Sequence, residues 1–229
     1  MSMSQPFLLH INTAMNEAYV ALSRGNELIG SLDNDNPFDH AAFVQPAIKA
    51  LYEEKGIAFK DIKAVSVVNG PGSYTGLRVG LAAAKGICYA MNIPLICLHS
   101  LDWMALSAKG MDVDLICPMI DARRMEVFTA VYDTSFTYII EPTAMVLDRN
   151  SFQELLEKHR VAFLGNGAVK WKALMEAEDM VILEKAGTTL DQIQMAYNRW
   201  EFKKFDELAY TEPFYVKEFY SPAIITKKQ

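Results

Sequence analysis

Two stretches of this chain match at a constant offset of 109 residues: HINTAMNEAYVAL at 10–22 and MIDARRMEVFTAV at 119–131. Without a gap, Ile11 falls on Ile120, Asn12 on Asp121, Glu17 on Glu126, Tyr19 on Phe128 and Ala21 on Ala130. Further along, VAFLGNGAVKW (161–171) repeats the strand, Gly-x-Gly and helix order of VSVVNGPGSYTG (66–77) at a similar offset. Such a repeat constrains the fold strongly, because two copies of one pattern present the same apolar faces and need the same kind of cover. It predicts a duplicated α/β chain with a first lobe over residues 1–102, a second, more divergent lobe over 103–211, and a tail, 212–229, that the sequence does not place. With 229 residues, 51% of them hydrophobic, the chain can bury one large core or two modest ones.

Within the first copy, FLLHI (7–11) and AYVAL (18–22) read as a hairpin, with a third strand after the Gly25-Asn26 turn. A helix over 38–55, a strand over 64–69, a helix over about 74–91 closed by Asn92 and Pro94, and the short strand PLICLH complete a lobe with a mixed sheet.

Between the strand over 64–69 and the helix that follows it stands Gly70-Pro71-Gly72, then Ser73. The glycines tolerate positive φ, Pro71 fixes its own φ, and Ser73 suits a helix N-cap. The same order can hold a phosphate on free N–H groups at a helix N-terminus. A Walker-type loop needs Lys-Ser/Thr after its last glycine; here Tyr74-Thr75-Gly76 follows, and a dinucleotide fingerprint is missed by one position. A tight strand-to-helix turn therefore accounts for these residues at least as well. The helix behind it is apolar nearly all round: Arg78 and Lys85 are its only charges, and Gly76, Gly80 and Ala84 form a small-residue ridge that permits close backbone approach. From Ala41 to Tyr52 the preceding helix has only Gln45 and Lys49 as a narrow polar line. Such helices need cover on more than one face, from a further layer of the chain or from another protein.

Catalytic signals are sparse. His10, His40, His99 and His159 lie far apart, with no His-x-x-x-His pair and no G-x-S-x-G or H-E-x-x-H motif. Asp121, beside Arg123 and Arg124, fits a paired structural carboxylate as well as a catalytic one. The three cysteines stand in apolar surroundings without a CxxC pair and read as buried thiols of a reducing cytoplasm. A formal net charge of −6 and the lack of a basic stripe argue against gripping nucleic acid unaided. Arg123-Arg124, Lys203-Lys204 and Lys227-Lys228 read as solvated surface. Neither a bilayer-length apolar run nor a basic leader occurs, so a cytoplasmic chain with no membrane partner is expected.

The segment NGPGSYTGLRVGLAAAKG, together with LLHINTA, DHAAFVQP, IDARRMEVFTAVY and EPFYV, resembles the TsaB family, also called YeaZ. The resemblance covers most of the chain and implies a two-lobed actin-like, sugar-kinase-like fold of the ASKHA, ribonuclease H-like type. It implies a non-catalytic subunit that pairs with TsaD, the metal-carrying subunit that transfers a threonylcarbamoyl group to the adenosine beside the anticodon of tRNAs reading ANN codons. The TsaE ATPase completes that assembly, and a homodimer forms when TsaD is absent. By the same resemblance tRNA is reached only through the complex, and the chain has no catalytic, cofactor or metal residue of its own. The two near-apolar helices then correspond to the dimerisation surface. Candidate contacts are His40, Phe43, Val44, Ala47, Ile48 and Leu51 on one helix and Gly76, Gly80, Ala83, Ala84 and Ile87 on the other, with Gly70, Pro71, Gly72 and Ser73 aiming the second. The chain departs from the family at Asn12 and Ala14, where Asp and Ser are common, and Val44 takes the place of the second His in the metal pair of TsaD. The rival reading is an active kinase or peptidase of the same superfold, for which only LGNGAVKW hints at a nucleotide motif.

Overall fold

The computed structural model describes residues 5–36, 39–175 and 180–217. Strands β1 (Phe7–Asn12), β2 (Ala18–Arg24) and β3 (Glu27–Asn34) form an antiparallel meander, and β4 (Ile62–Gly70) and β5 (Leu95–His99) join β1 in parallel. Parallel neighbours need crossovers, and these are α1 (His40–Lys55) and α2 (Tyr74–Met91), both packed on one face of the sheet. The end of α1 is set by Gly56 in the left-handed region, φ 63°, and that of α2 by Asn92, φ 53°, just before Pro94.

The chain then passes through α3 (Ser100–Ala105) into β6 (Leu115–Asp121), β7 (Glu126–Asp133) and β8 (Tyr138–Val146). After these come α4 (Gln153–Leu156), β9 (Val161–Leu164), α5 (Asn166–Lys172), β10 (Val181–Leu183) and α6 (Thr189–Glu201). Strand order is β3-β2-β1-β4-β5 in one sheet and β8-β7-β6-β9-β10 in the other, with matching directions. The molecule is therefore a two-lobed mixed α/β structure in which one topology occurs twice.

The ungapped alignment is one residue out along the first strand of each copy. Ile11 pairs with Val20 and packs under α1 and α2, whereas Ile120 pairs with Phe128 and faces the other side of its sheet. Met119, opposite Thr129, is the residue that packs toward the outer helices of the second lobe and matches Ile11. The second hairpin connection is one residue longer, and a one-residue slip exchanges the faces of a strand.

Between the sheets lies a shared layer formed by α3 and α6. Helix α3 packs on both sheets, against β4 and β5 as well as β6 and β7; α6 follows the second sheet but packs on β1, β3, β4 and β5 of the first. Residues in the range 103–211 thus cover both sheets. Ala196 with Met195, Tyr197 and Trp200 covers Leu8, Ala64, Ile96 and Leu98. The start of α6 is fixed by a Thr188–Asp191 capping box, and Trp103 of α3 donates from Nε1 to the Thr188 carbonyl at 2.8 Å. Of the tail, residues 212–217 run beside α2 and the Gly-Pro-Gly turn, and 218–229 lie outside the described residues.

Candidate partner face and inter-lobe cleft

The Gly-Pro-Gly turn is shaped by what presses on it. Gly70 has φ +126°, a conformation that favours glycine, and its Cα faces the Phe214 carbonyl; the Gly70-Pro71 peptide is cis. Ser73 caps α2, its Oγ accepting from the Gly76 N–H at 3.3 Å. The β1–β2 connection then seats directly on the start of α2. Ser73 N–H donates to the Ala14 carbonyl at 2.7 Å, and Thr13 Oγ1 donates to the Gly76 carbonyl at 2.6 Å. A Cβ at Gly72 would fall on the Ala14 carbonyl, one at Gly76 on the Thr13 carbonyl, and one at Gly80 on the Thr13 hydroxyl. The Ala14 N–H is spent on Asn12 Oδ1 at 3.0 Å. The N–H groups of Ala14, Ser73 and Gly76 are thus all bonded within the chain.

These contacts reverse the expected direction of the small-residue ridge. Gly76, Gly80 and Ala84 face Thr13, Ile11, Val67 and the core, not solvent. Val44, Ala47, Ile48, Leu51 and Ile87 are buried in the same cluster, and Phe43 and Ala83 are half-buried at its rim. His40 is buried at the start of α1 with Nε2 hydrogen-bonded to the Met15 carbonyl at 3.0 Å. A helix apolar all round has two faces to offer, and the sheet takes the one with the bulkier side chains and the closest-fitting glycines. The small and aromatic residues left outside are Ala41, Ala42, Pro46 and Ala50 on α1 with Ala82, Gly86, Tyr89 and Ala90 on α2, exposed beside the polar Gln45, Lys49 and Arg78. Tyr89 is 81% exposed, and nothing stands within 4 Å of a Cβ built at Gly86. This second line of small residues was present in the sequence, but spacing does not say which line meets the sheet.

The cleft between the lobes holds two cavities, of about 410 Å³ and 520 Å³, that share Met15, Asn16 and Asn166. Asp121 lines the larger one. It accepts from Lys170 Nζ and from the Arg123 N–H, both at 2.7 Å, and its own N–H donates to Asn166 Oδ1 at 2.9 Å. Partial burial works against ionisation of Asp121, but Lys170 and the Arg123 N–H outweigh it and hold the carboxyl below its usual range. Asp121 is thus a paired carboxylate that shapes the next turn, where Arg123, Arg124 and Met125 have φ of 71°, 46° and 62°.

No two histidines share a site. His10, wholly buried, bonds Ser66 Oγ at 2.7 Å and Ser23 Oγ at 2.8 Å, and Gln192 of α6 donates to the same Ser66 Oγ at 3.0 Å. His99 stacks on Phe214, and His159 is exposed. Among the described residues, no group of three or more His, Cys, Asp or Glu side chains is placed to hold a metal ion. Cys88, Cys97 and Cys117 are free and buried, and burial pushes each thiol up to about 12. None of the helices over described residues is long and apolar enough to cross a membrane.

A family model described as "TsaD: tRNA N6-adenosine threonylcarbamoyltransferase" matches residues 38–210. The "tRNA threonylcarbamoyladenosine biosynthesis protein TsaB" of Bacillus subtilis is 31% identical over 172 residues, covering 74% of this chain and 75% of that protein. The chain belongs to the TsaB (YeaZ) family. The Escherichia coli protein of the same name is 26% identical over 220 residues, 92% of this chain and 94% of its own. A solved structure titled "YeaZ from Pseudomonas aeruginosa" shares the fold, with a TM-score of 0.74 at 20% identity over 92% of this chain and 99% of that one. Against this family background, Asn12 is 1% exposed and engaged in its own turn. Val44 is 1% exposed in the α1 core.

Proposed function

We propose that this TsaB-family chain is a non-catalytic subunit in tRNA threonylcarbamoyladenosine synthesis and acts by binding the catalytic TsaD subunit. The observation that carries this reading is the outward face of α1 and α2, where alanine, glycine and proline leave a low surface around Tyr89. Small side chains let another pair of helices approach closely, and a projecting tyrosine is the type of anchor that dominates interface energies. The same face would accept a second copy of this chain when TsaD is absent. TsaE joins the TsaD-bound form, and the assembly modifies the adenosine beside the anticodon of tRNAs reading ANN codons in the cytoplasm. A net charge of −6 supports tRNA being held through the complex and not by this subunit alone.

Ala82→Arg and Ala90→Arg test the reading. Both positions are exposed, so the new guanidinium stays in water and the chain folds normally. Closure of an interface of about 800 Å² per partner would bury that charge unpaired, at a cost of several kcal/mol. Each variant should elute as a monomer, lose co-purification with TsaD and fail to support modification in a reconstituted assay. Wild-type pairing of both variants with TsaD would place the interface elsewhere.

A further inference from the structure

Among the described residues, the segment after α6 adds only an isolated antiparallel bridge, Asp206 to Leu95 of β5, yet it is fastened at several points. Lys85 of α2 donates from Nζ to the carbonyls of Ala209 at 3.3 Å and Thr211 at 2.9 Å. The Phe214 N–H donates to the Asn69 carbonyl at 2.8 Å, and its ring stacks on His99 with centroids 4.5 Å apart. Arg78 of α2 donates from Nε to the Tyr215 hydroxyl at 3.1 Å, with the Tyr74 ring 5.6 Å from that of Tyr215. These points belong to the first lobe. At Lys217 the chain reaches the second: Nζ donates to Glu126 Oε1 of β7 at 2.7 Å, at the wall of the larger cavity. One end is therefore held by backbone, ring and side-chain contacts, while the other rests on an ion pair whose lysine is 62% exposed. Such a pair is weak and is screened by salt.

We propose that Ala209–Lys217 is a strap that couples the opening of the inter-lobe cleft to the position of α2, with Lys217 and Glu126 as its releasable clasp. The consequence for binding rests on α2 carrying the partner face; the clasp itself can be measured on the isolated chain. Spin labels at Glu53→Cys on α1 and Lys158→Cys beyond α4 report the distance between the lobes, since the native thiols are buried. Besides the buried layer between the sheets, which every variant keeps, Glu17 and Lys185 tie the lobes by an exposed ion pair at 3.1 Å, so each variant is also made with Glu17→Ala.

Lys217→Glu should lengthen and broaden the distance distribution, raising the open fraction by up to about fivefold. Adding Glu126→Lys should restore the wild-type distribution. Tyr215→Ala should open the lobes less than Lys217→Glu, because Phe214 still holds the strap to the first lobe, and should add nothing once the clasp is already released. A wild-type distribution for Lys217→Glu in both backgrounds, or full additivity with Tyr215→Ala, overturns the strap. TsaD affinity on the same variants completes the test. Opened lobes with unaltered affinity overturn the coupling to α2, whereas wild-type binding by Ala82→Arg bears on the partner face alone.

Discussion

Gly76, Gly80 and Gly86 share one helix and differ in what stands before them. A methyl at Gly76 meets the Thr13 backbone carbonyl, which cannot move without the β1–β2 turn; at Gly80 it meets the Thr13 hydroxyl, a side-chain end; at Gly86 it meets nothing within 4 Å. Gly76→Ala should therefore cost about 3 kcal/mol or more, Gly80→Ala less, and Gly86→Ala should stabilise by about 0.4–1 kcal/mol through helix propensity and the unfolded chain. Urea denaturation of the three variants gives the order directly. His10 sets a pH dependence. Burial lowers its folded-state value from 6.5 to about 3, so the unfolded chain takes the proton first. This contribution is complete above pH 6.5 and is lost as pH falls toward 3, at about 1.4 kcal/mol per pH unit. Between pH 6 and 4 the stability of His10→Gln should fall less steeply than that of the wild type by that slope. Equal slopes would mean that the imidazole charges without leaving the fold.

At the scale of the element, α2 is a helix whose two apolar lines have different duties. Ala84 is fully buried among residues of α1, β1 and β4, and Ala82, two positions earlier, is exposed. Ala84→Arg should give an unfolded or insoluble chain, since the guanidinium would enter the core without a partner, while Ala82→Arg stays native by circular dichroism. A soluble, native Ala84→Arg chain would show that α2 can turn on the sheet. Loss of the Ser73 cap by Ser73→Ala should cost about 1 kcal/mol and leave the fold intact.

For the whole molecule, the placement of α6 makes the first sheet depend on the second half of the sequence. Without α6, the inner face of the first sheet would expose Leu8, Ile96 and Leu98 together with His10 and Ser66. A fragment of residues 1–102, although it contains the entire first sheet with α1 and α2, should not fold cooperatively alone, whereas a chain ending at 217 should. Thermal unfolding followed by circular dichroism distinguishes the two, and a sharp transition in the fragment would show that the cover from α6 is dispensable.

Much of the local structure was legible in the residues themselves. Alternating apolar runs, the Gly-Pro-Gly turn, Ser73 as cap and Asn92 as stop gave the elements of the first lobe, because strand period, turn φ and capping bonds are decided within a few neighbouring residues. The repeat of LGNGAVKW on NGPGSYTG announced the duplicated topology for the same reason. Tertiary structure decided which face each element turns inward. The slip between Ile11 and Ile120, the inward direction of Gly76, Gly80 and Ala84, and the work of Arg78 and Lys85 in holding residues 209–215 all depend on partners far away in the chain. A period of small or apolar residues states how many faces a helix has to bury; only the shape of what packs against it decides which face goes where.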